Sequence, residues 1–412
     1  MLTSFLNKFV KSKVYFTVET GQQGFTDQMM QLSAFYKLGR AAGFEYHHTR
    51  FVSTRSNPLV TSEKEAYDDI YDFLGITDYF SGFNRGEFES DDVFEVNLSD
   101  AIVERENIQN FKALVQYVQK SVANALKEKE SDAPKLFILR LERARPAPGK
   151  GKRQFFSLIN ASSKANKFSI GFKEIYNQHR AKKPFINNLN FDKTNVLIHI
   201  RQGDTAVVKT PWNAYIPVDK RRPDYLTENH RLEDITERYF DKFVDSIFTP
   251  EDYYTFWTSL APYIQNDIQL KVFSDGYQRA IDAILNGGRL LPLTEEQKHE
   301  LTVQKSNIDS DTFQCFHRLA YAKCAVGESA QSLYQLVDSA LRTDIIITAA
   351  QQRMLPKLIA NYVPKGKPYV IVLYRNVMPD YSDITGADTS RFIYVNIDKP
   401  DFQNIVARLK ET

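Results

Sequence analysis

The chain has 412 residues and a mass of 47.6 kDa, beyond the size at which one hydrophobic core stops growing, so two domains are expected and a single small module is excluded. Hydrophobic residues at 42% and charged residues at 25% match an ordinary folded protein and exclude a largely disordered chain. Lys and Arg number 53 against 51 Asp and Glu, a net charge of +2, so no bulk field attracts nucleic acid or anionic lipid and any bound anion must be met by a local site.

Along the chain, Lys8, Lys11 and Lys13 interrupt the first apolar stretch before it reaches signal-peptide length. VYFTV, Val14 to Val18, reads as a strand; Gly21 and Gly24 punctuate, and DQMMQLSAFYKLGRAA carries apolar residues at helical spacing. Phe44 to His48 then begins a second strand, which makes a βαβ unit and implies a parallel sheet. Residues 60 to 130 are expected to be mostly helical, with a long helix from Asn107 to Glu128. LFILRL, Leu136 to Leu141, is a buried strand, and ERARPAPGKGKRQ after it is a basic surface loop or lid broken by Pro146, Pro148, Gly149 and Gly151.

A second α/β region starts at Asn195 with the strand VLIHI, Val196 to Ile200. LKVFS (Leu270 to Ser274), CAVG (Cys324 to Gly327), DIIIT (Asp344 to Thr348), YVIVLY (Tyr369 to Tyr374) and FIYVNI (Phe392 to Ile397) follow, separated by helical pattern. Near-continuous apolar strands alternating with helices predict a doubly wound α/β fold with parallel sheets. The expected division is residues 1–188 and 189–412, meeting at a cleft, with the last helix crossing back to the first domain. No run of about eighteen apolar residues occurs, so a soluble, cytoplasmic protein is expected. Cys315 and Cys324 fit neither a disulfide framework nor a paired zinc motif, and read as buried free thiols in a reducing compartment.

The sharpest local signal is HIRQGD, His199 to Asp204, at the carboxyl end of VLIHI. Ligands of open α/β sheets bind at the carboxyl ends of strands. Arg201 offers a permanently charged planar fork for phosphate oxygens, Gly203 lets the backbone approach a ligand closely, and Asp204 can orient the arginine or a sugar hydroxyl. Such a trio can hold a diphosphate without a metal. The alternative is that His199 packs in the sheet and Arg201 to Asp204 is an ordinary turn-side ion pair.

GQQGFTDQ, Gly21 to Gln28, lies between the first strand and a helix, where loop amides form an anion or hydroxyl site. It is also readable as a structural turn capped by Thr26 or Asp27. VFSDG places Ser274 and Asp275 at another strand end, where a carboxylate can accept hydrogen bonds from a nucleotide base; a common Ser-Asp-Gly turn is the plainer reading. Ser329 and Ser332, three apart at a helix start, are either donors to phosphate or simple caps. Asp309-Ser310-Asp311 has the form of a metal-binding DxD triplet but sits in a polar stretch with no strand before it, and reads as a loop or helix cap. His47-His48 reads as a strand terminus, because neighbouring strand residues face opposite ways.

Taken together, GQQGFTDQ, HIRQGD, VFSDG and the late Ser-x-x-Ser helix start resemble, in order and spacing, the fucosyltransferase superfamily of glycosyltransferases. That resemblance implies a GT-B-like fold, two Rossmann-like domains facing a cleft. It implies an inverting, metal-independent transfer of fucose from GDP-fucose to a hydroxyl of a glycan or other acceptor, with no cofactor beyond the donor. Arg201 would neutralise the leaving diphosphate with His199, Gly203 and Asp204 in support; Ser274 and Asp275 would meet the guanosine, and Ser329 and Ser332 the diphosphate. Gly21, Gly24, Asp27 and Gln28 would face the donor sugar and acceptor, with Asp27 the candidate base. The chain departs from the family pattern at Gln202, where a second basic residue is frequent, and at Thr26-Asp27, where relatives carry Gly-Asn. The competing readings are a non-catalytic carbohydrate- or nucleotide-binding protein and a metal-dependent glycosyltransferase using Asp309 and Asp311. A nucleic-acid role for the basic RARPAPGKGKRQ stretch is disfavoured by its lack of aromatic residues.

Overall fold

The structure is a computed structural model that describes residues 13–20, 25–49, 70–80, 88–128, 133–141, 154–187, 189–200, 207–209, 215–217, 248, 250–264, 267–274, 294–310, 330–350, 352–363, 366–375, 378–381, 384 and 390–410.

Two parallel sheets with flanking helices make up an α/β protein. The first contains β1 (Val14–Glu19), β2 (Glu45–Tyr46), β3 (Val93–Leu98) and β4 (Lys135–Leu141) in the order β2-β1-β4-β3. The apolar runs VYFTV and LFILRL are its central strands, as their continuous hydrophobicity predicts. The described part of the segment between residues 60 and 130 is mostly helical as expected, with β3 an addition the helical reading did not include. VFEVNL alternates, with Val96 and Leu98 buried and Glu95 and Asn97 exposed, and it lies on the sheet edge, where only one flank is paired.

The described helices of the first half are α1 (Phe25–Ala41), α2 (Ile70–Phe73), α3 (Ile76–Tyr79), α4 (Asp100–Arg105), α5 (Phe111–Glu128), α6 (Gln154–Asn160), α7 (Ser163–Asn166) and α8 (Phe172–Lys182). Helix α1 approaches β1 so closely that a Cβ at Gly39 would stand 2.5 Å from the Phe16 ring, so only glycine fits there. Ser99 caps α4 by accepting from the Ile102 amide at 3.2 Å.

The second sheet contains β5 (Thr194–Ile200), β8 (Ile268–Ser274), β9 (Ile345–Ala349), β10 (Tyr369–Tyr374) and β11 (Phe392–Asn396) in the order β11-β10-β9-β5-β8, with every pairing parallel. Between β5 and β8 in the chain, β6 (Val207–Lys209) and β7 (Tyr215–Pro217) pair as an antiparallel ribbon. Helices α9 (Pro250–Leu260), α10 (Glu295–Ser310), α11 (Ala330–Arg342), α12 (Met354–Tyr362) and α13 (Phe402–Lys410) complete this half. Five of the six strands expected here are found; CAVG lies outside the described residues.

Side-chain alternation assigns the two faces of the second sheet to two cores. Val196, Ile198 and Ile200 of β5, with Ile347 and Ile371, pack on Tyr253, Phe256 and Leu260 of α9 and on Ile405 of α13. Leu197, Ile346 and Val372 face the other way, into a core continuous with Phe16, Phe35 and Phe137 of the first half. Helix α1 lies against α12 at this seam. Phe172 stacks on Tyr362 at 5.0 Å and Phe73 on Tyr334 at 4.3 Å.

Polar contacts fasten the same seam. The buried Asp338 of α11 accepts hydrogen bonds from the Tyr176 hydroxyl, from Asn187 Nδ2 at 2.7 Å and from Arg342 Nε at 3.0 Å. Asn187 in turn accepts from Lys271 of β8.

Candidate functional site

Strand order locates the crevice. From β5 the chain steps outward to β8, then crosses back over β5 to β9 and continues to β10 and β11. This is the doubly wound order in which the direction of winding reverses between the first and third strands, here β5 and β9, and ligands of such sheets bind outside the carboxyl ends at that reversal.

The residues at that point are polar where their neighbours are apolar. His199 and Thr348 are register partners on β5 and β9, and His199 lies opposite Phe273 on its other side. Both belong to the alternation that faces the seam; His199 is 2% exposed and Thr348 is fully buried. Thr348 donates from Oγ1 to Gln352 Oε1 at 3.1 Å. Helix α9 contributes Tyr253, whose phenol is fully buried against the Ala349 backbone and the Gln352 side chain, and burial pushes its pKa well above the usual value. The Tyr381 hydroxyl donates to the Ala350 carbonyl, while the Arg353 guanidinium lies 5.3 Å from the Tyr381 ring centroid. Tyr381 thus holds the carbonyl of Ala350, the residue that follows β9.

The first half reaches this edge through the start of α1. Asp27 in its first turn forms an ion pair with Lys357 in the first turns of α12, with Lys357 8% and Asp27 30% exposed. Since α1 follows β1 and α12 follows β9, this contact joins the carboxyl edges of the two sheets. Gln28, fully buried, accepts from the Tyr71 hydroxyl. At the carboxyl end of β1, Arg140 of β4 bridges Glu19 and Glu95, the latter at 2.8 Å. The Thr20 hydroxyl is buried with no hydrogen-bond partner among the described residues.

The sequence-predicted site residues fall into three groups. His199, Asp27 and Gln28 are placed as above, and His199 is buried within the sheet. Ser274 ends β8 and Ser332 lies in α11, known here by backbone position; Asp309 is the penultimate residue of α10. Arg201, Gly203, Asp204, Gly21, Gly24, Asp275, Ser329 and Asp311 lie outside the described residues, as do Cys315 and Cys324 and the basic stretch at 142–153. In the chain, Arg201 follows directly on Ile200, the last residue of β5.

Several residues at the crevice escaped sequence reasoning: Thr348, Gln352, Tyr253 and Lys357. Thr348 ends the DIIIT run and was readable as the polar terminus of an apolar strand, but Lys357 carries no signal, because its partner lies far away in the chain. The pair His47-His48 follows β2, where the Tyr46 hydroxyl and His48 Nδ1 share a 2.8 Å hydrogen bond and burial lowers the His48 pKa to about 4. Among the described residues no group of three or more His, Cys, Asp or Glu is arranged to hold a metal, and no helix is long and apolar enough to cross a membrane. Neither a scan against protein-family models nor a comparison with curated proteins returns a match.

Proposed function

We propose that the protein is a glycosyltransferase that moves a sugar, fucose by the motif resemblance, from a nucleoside diphosphate to an acceptor hydroxyl at the carboxyl edge of the second sheet. The observation that carries the reading is positional: HIRQGD issues from β5 at the strand-order reversal, so Arg201 follows the sheet residue nearest the crevice. A guanidinium there suits the charge that develops on a departing diphosphate. In the proposed step the acceptor oxygen attacks the anomeric carbon as the bond to the diphosphate oxygen breaks. The acceptor proton passes to a carboxylate, and the electron pair leaves with the diphosphate, neutralised by Arg201. Attack from the face opposite the leaving group inverts the anomeric centre.

Asp27 is a carboxylate from the first half at the carboxyl edge, paired with Lys357 of the second half, whereas Glu19 at the end of β1 is paired with Arg140. Lys357 orients Asp27, and in this reading Lys357 holds the base in place between turnovers. The packing of α1 on α12 and the Tyr381 hydrogen bond to the Ala350 carbonyl support such a site from below.

The test is incubation with GDP-fucose and measurement of free GDP, with and without EDTA, for the intact chain and for Arg201→Ala and Arg201→Lys. Slow GDP release that survives EDTA and is lost in both variants is expected, since a point charge does not reproduce the fork. Release abolished by EDTA would move the chemistry to a metal site such as one including Asp309. Tight GDP binding with no release on any acceptor would make the protein a nucleotide-binding module.

A further inference from the structure

A cavity of about 320 Å³ lies at the other edge of the second sheet. Its walls fix its position: Asp344 leads into β9, Lys367 leads towards β10, and Arg342 ends α11, so it opens at the amino edge, away from the β5–β9 crevice. Lys173 and Tyr176 of α8 form the opposite wall, and Phe191 closes the side. Its volume is at the small end of the range for ligand pockets, roughly 300–1,000 Å³.

The charges around it are unequal. Lys173, Arg342 and Lys367 face a single carboxylate, Asp344. That carboxylate is already used on both oxygens: Oδ1 pairs with Lys367 at 2.9 Å, and Oδ2 accepts from the Asn195 amide at 2.9 Å. Arg342 is anchored from behind by Asp338 and lays its guanidinium 5.6 Å from the Phe191 ring centroid. Lys173 has no ion-pair partner among the described residues. Phe191 is 68% exposed, a large ring left in water beside a fixed guanidinium.

An exposed ring next to a planar cation is a stacking platform, and two ammonium groups at its margin supply positive charge for an anionic substituent. We infer that this cavity binds a small organic anion, with a planar apolar body against Phe191 and Arg342 and a phosphate or carboxylate between Lys173 and Lys367. The walls come from both halves of the chain, so the bound anion acts as a brace across the seam and stabilises the folded state by mass action. This inference is independent of the transfer reaction.

Phenyl phosphate is the probe, measured by calorimetric titration and by the shift in melting temperature of the full chain, with inorganic phosphate and phenol as separate arms. Saturable phenyl phosphate binding at least about tenfold tighter than either part alone is expected. Lys173→Glu and Phe191→Ser each weaken it about tenfold or more while leaving the melting temperature of the free protein unchanged, because both side chains are exposed. Binding insensitive to Lys173→Glu, binding no tighter than that of inorganic phosphate, or absence of saturable binding would each overturn the inference. So would displacement of phenyl phosphate by GDP, which would place the probe in the β5–β9 crevice. Activity lost in Arg201→Ala with phenyl phosphate binding retained separates the two sites.

Discussion

Removing either partner of the Asp27–Lys357 pair separates what the seam needs from what the chemistry needs. Lys357 is 8% exposed and Asp27 30%, so the ammonium is the more deeply buried charge and loses more when its partner is removed. Breaking a fully buried pair costs about 3–5 kcal/mol; the partial exposure of Asp27 screens this one, and about 2–3 kcal/mol is expected for Asp27→Asn. Lys357→Met keeps an apolar stem of similar length between α1 and α12, and Asp27, the more exposed of the two, is the less costly charge to deprive of this contact, so it costs about 1–2 kcal/mol. The double variant should be less destabilised than the sum of the two, giving a coupling energy of about 1–3 kcal/mol in urea unfolding of all four proteins. A coupling below about 0.5 kcal/mol would refute the claim that this contact fastens the two sheets. The same set reads the chemistry. If Asp27 takes the acceptor proton, Asp27→Asn lowers turnover by about a hundredfold or more with GDP affinity kept, whereas Lys357→Met lowers it by less than about tenfold. Equal losses in the two variants would leave Asp27 a positioning residue.

Three other outcomes follow from the buried polar groups. Asp338→Ala strands the Tyr176 hydroxyl, removes one of the acceptors of Asn187 and frees Arg342, which is one-third exposed; a loss of about 3 kcal/mol in denaturant unfolding is expected, and a loss below about 1 kcal/mol would show that the aromatic stacks alone hold the seam. Tyr362→Phe removes a fully buried hydroxyl with no hydrogen-bond partner among the described residues, so it should leave stability unchanged or raise it by up to about 1 kcal/mol; a clear loss would reveal an unseen partner. Burial holds the His48 imidazole neutral, with its pKa lowered from 6.5 to about 4, so the unfolded chain protonates first as pH falls. Stability from this group is complete above about pH 6.5 and is lost progressively towards pH 4, by about 3 kcal/mol in all; His48→Gln should flatten that slope, and an unaltered pH profile would discount the group.

How far the sequence discloses this molecule depends on what each residue touches. Strands β1, β4, β5, β8, β9, β10 and β11 were legible because helices cover both faces of a parallel sheet and leave continuous apolar runs. Strand β3 was not, because an edge strand with one wet face alternates, and Glu95 and Asn97 break its run amid helical neighbours. The edge on which a site should lie was legible, since HIRQGD visibly ends a strand; that β5 borders the winding reversal was not, because strand order depends on pairings such as Val196 with Ile345. The seam was opaque for the same reason. Lys357 and Asp338 look like ordinary polar positions of amphipathic helices, and only the packing of α11 and α12 against the first half shows what they hold.

The placement of β5 between β8 and β9 also bears on how the chain assembles. When β5 and β8 have been synthesised they can pair, yet the flank of β5 destined for β9 stays open until a segment far downstream is complete. An unpaired apolar strand edge recruits other chains, and the long loops closed by such pairings slow productive folding. Truncation before Ile345 would thus leave a sticky intermediate in place of a smaller working protein, and yield during expression should depend on chaperone supply more strongly than the final stability suggests.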